Sequence, residues 1–281
     1  MARNDALICL IRAMLLFSPA SSLTLRMRRF RRYRLAGSAG YFYNLYMRTS
    51  RVAGLLLLAT ATLAQQQQTV EITSEPSHHL VLQNEYVRVF DVTVAPKAST
   101  LIHRHNHDYL FVTLGDSDVI SARVGEKPVS LILKDGEVRY TPGNFAHAAI
   151  NNSDQPFHNI TIELLKPSSK VTTCTELCTT LHCSNGHKAN CSKVVYNISS
   201  DQWLASLVTV PPSSQLERDM HGNPHLVIAV SDLDLTSQTG AASNSIQRQP
   251  GGLLWVPAGH AYALVNKSQN PAKFVTLEFK L

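Results

Sequence analysis

The chain repeats itself. LVIAVSDLDL (226–235) lies over LFVTLGDSDV (110–119), GGLLWVPAGHAYALVN (251–266) lies over GEVRYTPGNFAHAAIN (136–151), and the terminal KFVTLEFKL echoes HNITIELLK (158–166). Self-similarity on that scale restricts the fold to two copies of one architecture. Within the first copy, EYVRVFDVTV (85–94), LFVTLG (110–115), VSLIL (129–133), EVRYT (137–141), AHAAIN (146–151) and HNITIELL (158–165) are short and β-branched or aromatic. They follow a period of two and are separated by Gly, Pro, Asn and Asp. No stretch of comparable length sustains a helical period, so an all-β fold of two tandem sandwiches or barrels is expected.

Chemistry concentrates in the first copy. In STLIHRHNHDYLFVTLG (99–115), strand alternation sends His103, His105 and His107 to one side and Arg104, Asn106 and Asp108 to the other. The downstream stretch 136–151 adds His147. Imidazole suits zinc, copper, iron and nickel, and three protein nitrogens with an open position are the usual catalytic arrangement. A histidine-rich strand that binds no metal is the alternative.

The spacing H-x-H-x3-Tyr109-x5-G at 103–115, followed by G-x5-P-x-Asn144-x2-H-x3-N at 136–151, resembles the two signature motifs of the cupin superfamily. That resemblance implies small double-stranded β-helix barrels, so the expected fold is two tandem cupin-type jelly rolls. It also implies a metal held by two His and a Glu of the first motif and one His of the second. His103, His105 and His147 match the three His, whereas the Glu position is Tyr109 and a motif Gly is Asn144. The first departure removes a carboxylate from the metal. The second is mild, because Asn tolerates the left-handed conformation that Gly usually serves. His107 leaves a shifted register with His105 open.

In the second copy Asp219, His221 and His225 stand at the places of His103, His105 and Tyr109, and Tyr262 replaces His147, with His260 two residues earlier. Asp219, His221 and His225 form a two-His, one-carboxylate set of the kind associated with non-haem iron. A barrel that has lost its metal and serves as a packing partner is the alternative.

Between the copies lie Cys174, Cys178, Cys183 and Cys191, with His182 and His187 among them. The spacings C-x3-C and C-x7-C do not match a close-paired zinc knuckle, and two disulfides are expected, with three connectivities open.

The N-terminus explains the basic charge. Residues 1–64 hold ten of the 26 basic residues and one of the 20 acids, Asp5, so the formal +6 of the chain becomes −3 for the remainder. A mildly acidic body argues against a nucleic-acid partner. Met47, Arg48 and Arg51 precede VAGLLLLATATLA, whose end at 62–64 fits a signal peptidase site and predicts a mature start at Gln65 in a secreted or periplasmic protein. The apolar run is too short for a stable membrane span. Residues 1–46, with RMRRFRRYR at 26–34, have no place in an ordinary signal peptide. A start-site artefact is favoured over an extended leader or a basic arm. The expected organisation is a signal peptide at 47–64, a linker at 65–79, a barrel at 80–167, a Cys-rich linker at 168–193 and a degenerate barrel at 194–281.

Taken together, these features predict a divalent transition metal (Fe, Mn, Cu, Ni or Zn) in the first barrel and a small organic molecule as ligand or substrate. Tyr109 is the candidate catalytic phenol, able to donate to a ligand oxygen. The resemblance implies dioxygenase chemistry as one activity, with isomerases, decarboxylases and non-catalytic binding or storage proteins beside it. Assembly into a homo-oligomer is left open. Neither a phosphate loop nor a nucleophile elbow is present.

Overall fold

The computed structural model describes residues 68–174, 178–183, 191–218, 222–260 and 262–281. The leader at 1–64 and the candidate ligands Asp219 and His221 lie outside them. No helix among the described residues is long and apolar enough to cross a membrane.

The first barrel opens with β1 (Val70–Glu71), β2 (His78–Gln83), β3 (Val87–Val94), β4 (His103–His105) and β5 (Tyr109–Leu114). It continues through β6 (Ser117–Arg123), β7 (Val129–Leu133), β8 (Val138–Thr141), β9 (Phe145–Asn151) and β10 (Phe157–Leu164). These form two facing sheets of order β1-β4-β9-β6-β7 and β2-β3-β10-β5-β8. The second barrel begins with β11 (Thr172–Thr173), β12 (Thr179–Cys183), β13 (Cys191–Ser199), β14 (Trp203–Val210), β15 (Gln215–Arg218) and β16 (His225–Ala229). It ends with β17 (Leu233–Thr239), β18 (Ala242–Arg248), β19 (Leu253–Val256), β20 (Tyr262–Asn266) and β21 (Ala272–Phe279). Its sheets run β11-β13-β14-β21-β16-β19, with β12 on β13, and β15-β20-β17-β18.

The repeat is thus a repeat of topology. β10 lies between β3 and β5 as β21 lies between β14 and β16, and β9 lies between β4 and β6 as β20 lies between β15 and β17. Two equivalent asparagines close equivalent corners. Asn151 Nδ2 donates to the carbonyls of Val94, Ala95 and Gln155, and Asn266 Nδ2 to those of Val210, Pro211 and Asn270. Each side-chain oxygen accepts the N–H of a serine two residues on, Ser153 or Ser268. These buried amides spend their donors on backbone carbonyls that strand pairing leaves over. Two tandem jelly-roll barrels, the fold class expected from the sequence, are what these strands build.

The burial of β10 and β21 along almost their whole length has a structural cause. Each is buried on both faces, because β2-β3-β10-β5-β8 of one barrel packs on β13-β14-β21-β16-β19 of the other. Leu110, Ile160 and Ile162 meet Trp203, Leu226 and Leu277 in one cluster. Lys273 bridges the barrels from the rim, its Nζ 2.8 Å from the Asp135 carboxylate. Segments read as linkers join these sheets. Val70–Glu71 pairs in parallel with β4, His78 pairs with Val92, and β12 pairs along β13. The runs are too short or too polar to show a period, and pairing with neighbouring strands recruits them.

The four cysteines form the disulfides Cys174–Cys178 and Cys183–Cys191, the second across directly opposed residues of β12 and β13. Peptide mapping of unreduced protein should recover these two pairs, and thiol labelling should leave all four cysteines unmodified. Four labelled thiols in freshly purified protein would contradict the pairing.

Candidate metal centre

β4 reads His-Arg-His, so alternation turns His103 and His105 into the first barrel and leaves Arg104 outside. Antiparallel pairing with β9 sets His147 directly opposite His103. All three imidazoles are buried, at 0%, 1% and 8% exposure. His105 Nε2 stands between the other two, 3.1 Å from that of His103 and 3.2 Å from that of His147. Tyr109 stacks on the His105 ring at 4.1 Å, with Phe145 stacked against it at 5.6 Å.

Alternation stops at His105. Residues 106–108 carry the chain from one sheet to the other, and His107 sits in that bend rather than on the cavity wall. The bend is pinned by Gly143, where a Cβ would come within 2.4 Å of the His107 backbone, and by Asp108, which accepts bonds from the Tyr140 hydroxyl and the Gly143 N–H. Asn144 takes φ 64°, the left-handed conformation its place in the motif calls for.

Proton bookkeeping at the three rings favours a cation. His103 Nδ1 donates to the Leu101 carbonyl at 3.0 Å, so its Nε2 keeps a lone pair. His105 has one proton for two nitrogens. On Nε2 that proton can serve only one of two neighbours at a time, and on Nδ1 it finds no acceptor among the described residues, so Nε2 is left to face the other rings with a lone pair. A cation at the convergence point takes up the facing lone pairs. Two nitrogens each about 2.1 Å from one metal stand about 3.0 Å apart at a right angle and about 3.4 Å apart at the tetrahedral angle. The observed 3.1 and 3.2 Å fall between these values. The residues therefore fit a divalent metal.

Burial, reinforced by neighbouring imidazoles, pulls His103 to about 4 and His147 to about 3, and pushes His105 further down. The rings are neutral, as ligands must be. The unfolded imidazoles take up protons near 6.5 while the folded ones refuse them, so the unfolded state binds more protons between those values. Metal-free protein should therefore keep its full stability above pH 6.5 and lose it as the pH falls toward 4. Thermal melts at neutral and acid pH check this, and replacing His103 and His147 together by Gln should flatten the dependence. An unchanged midpoint across that window in wild-type protein would contradict it.

Two residues of the site lie outside both motifs. His78, at the start of β2, is 8% exposed, and its ring centroid is 4.5 Å from that of His103. Its Nδ1 lies 2.6 Å from Oε2 of Glu75, a carboxylate buried at 3% exposure. Burial alone would raise the Glu75 pKa, but bonds from His78, Leu101 and Ser77 outweigh it and hold the group below its ordinary value. One ring nitrogen from each of His78, His103 and His105 forms a set lying within 4.8 Å of one another. The sequence signal was only a Glu-x2-His at the edge of the period-two region.

The cluster forms the floor of a cavity of about 320 Å³. Val92, Phe111, Val119, Leu133 and Phe157 make its wall apolar, and Arg123, Lys127, Arg139 and Glu126 also line it. Arg123 lies 4.0 Å over the Phe145 ring and 3.9 Å from the Glu126 carboxylate. Tyr109 is 6% exposed, and burial pushes its phenol up to about 12, with a hydrogen bond to Thr141 opposing the rise. Asn159, the first residue of a glycosylation sequon, is buried at 4% exposure in this wall and accepts a bond from Thr161.

Among the described residues, the interior of the second barrel is an apolar cluster. Val208, Leu216, Val227, Leu235, Leu264 and Phe274 pack between its sheets. Of its candidate ligands only His225 is described: it is fully buried, stacks on Tyr262 and hydrogen-bonds to that phenol and to the Asn223 carbonyl. His260 is exposed, with its ring against the Pro257 and Ala258 carbonyls.

No protein-family model matches the chain, and no curated protein does. Solved structures do. AerE from Microcystis aeruginosa is 10% identical, with a TM-score of 0.51, over 74% of this chain and 99% of its own. A protein from Pseudomonas aeruginosa designated glyoxylate-induced is 10% identical, with a TM-score of 0.54, over 73% of this chain and 82% of its own. A cupin domain from Bordetella pertussis is 29% identical, with a TM-score of 0.30, over 31% of this chain and 90% of its own. With its duplicated strand order, its two-motif histidine cluster and likenesses that span both barrels, the chain has the fold of the cupin superfamily, in its two-barrel form.

Proposed function

We propose that the first barrel holds one divalent transition metal through His103, His105 and His147 and acts on a small, partly apolar organic molecule, with oxygenation as the favoured reaction. The observation that carries this is the close approach of His103 and His147 to His105, three buried neutral imidazoles lining one largely apolar cavity. Held by nitrogen ligands with positions to spare, the metal supplies Lewis acidity and, if iron or copper, redox chemistry. The chain supplies the rest. Apolar side chains strip water from the ligand. Arg123, Lys127 and Arg139 favour an anionic group on it. Tyr109 stays a protonated phenol at neutral pH and can orient a ligand oxygen as a donor.

The cavity carboxylate Glu126 is turned to Arg123, so a general base for hydrolysis or decarboxylation has no obvious holder among the described lining residues. That weighs against hydrolysis and decarboxylation, leaves oxygenation open, and favours the rival reading of a non-catalytic ligand-binding barrel. An extracytoplasmic location, supported by the two disulfides, completes the proposal. The test is metal analysis of untagged protein, followed by oxygen uptake with catechols, flavonols and diketones. Iron or copper with uptake supports the enzyme; metal without turnover of any such compound supports the binder; absence of metal overturns both.

A further inference from the structure

We propose that His78, held by Glu75 outside both motifs, is a fourth ligand to the metal and replaces the carboxylate that the Tyr109 position lacks. The inference rests on the metal reading above and adds a residue to it. Glu75 occupies Nδ1 of His78, so Nε2 is the nitrogen that the ring offers to the cluster. Among the described residues, His78 forms with His103 and His105 a set in which one ring nitrogen from each lies within 4.8 Å of the others.

The supporting geometry is shared with the motif ligands. Glu75 follows a short turn at Ile72–Ser74, accepts the Ser77 N–H with the same oxygen that holds His78, and accepts the Leu101 N–H with the other. Leu101 in turn accepts from His103 Nδ1 through its carbonyl. One buried carboxylate thus fixes His78 directly and His103 through a single residue of backbone. A carboxylate behind a ligating imidazole is the usual means of fixing ring orientation and raising ligand basicity. Here it also returns negative charge to a centre whose first motif has none to give. A buried His–Glu pair that only ties down the N-terminal segment would not require the imidazole to lie against His103 and His105.

Pulsed EPR of the full chain loaded with Cu(II) counts coordinated imidazoles, and competition with a chelator gives its affinity. Wild-type protein should show four imidazole nitrogens. His78→Ala should show three and bind Cu(II) more weakly, and Glu75→Gln should retain four and lose about 10- to 100-fold in affinity. Three imidazoles in wild-type protein, or a His78→Ala variant with unchanged spectrum and affinity, overturns the fourth ligand while leaving the metal reading in place. No Cu(II), Co(II) or Fe(II) bound by wild-type protein overturns both. The wild-type spectrum decides the question even if His78→Ala fails to fold.

Discussion

His105→Ala is expected to abolish metal binding while leaving the barrels folded. Its Nε2 is the atom that both His103 and His147 approach, so its removal breaks the donor set at the centre rather than at an end. The strand itself survives, because β4 is held by pairing to β1 and β9 and the apolar layers lie elsewhere. Metal content should fall from about one per chain to near zero with an unchanged far-ultraviolet spectrum. His147→Ala should behave alike. His107→Ala, in the bend outside the cavity, and His225→Ala, beneath Tyr262, should keep their metal. A His105→Ala protein that retains metal, paired with a His225→Ala protein that loses it, would show that the working site is in the second barrel.

How much of this was legible in the chain differs by residue. His103, His105 and His147 could be named because their geometry follows from strand alternation and one antiparallel register, both properties of sequence pattern. His107 misled because alternation presupposes a continuous strand, and the chain leaves its sheet after His105 to cross to the other. That crossing depends on Gly143 passing against the His107 backbone, a tertiary contact with no local signature. His78 and Glu75 were missed for a related reason: they sit in a short turn and at a strand start, where nothing periodic marks them. The duplicated corners at Asn151 and Asn266 were aligned in the repeat, but their function as caps for backbone carbonyls needed the fold. The packing of one barrel on the other was only partly written in the strands: β21 carries apolar residues on both faces, whereas β10 sets Asn159, Thr161 and Glu163 opposite its apolar face although the strand is almost wholly buried.

That shared layer makes Trp203→Ala the most destabilising substitution expected in the chain. Trp203 begins β14, is 1% exposed, and inserts into the cluster that draws on both barrels, its ring 5.9 Å from Tyr140 of the first. Its Nε1 is buried and has no hydrogen-bond partner among the described residues, so the side chain contributes by packing alone. Truncation to Ala leaves a cavity between two sheets that are each fixed by their own pairing and cannot close on it, at a cost of about 3–5 kcal/mol. Trp203→Phe restores part of the volume without a polar atom to satisfy and should cost about half as much or less. Because the cluster is common to both barrels, they should melt together, in one calorimetric transition lowered on the order of 10 °C by Trp203→Ala. Two separate transitions, with only the later one shifted, would show that the barrels unfold independently and that the layer between them is an interface rather than a core.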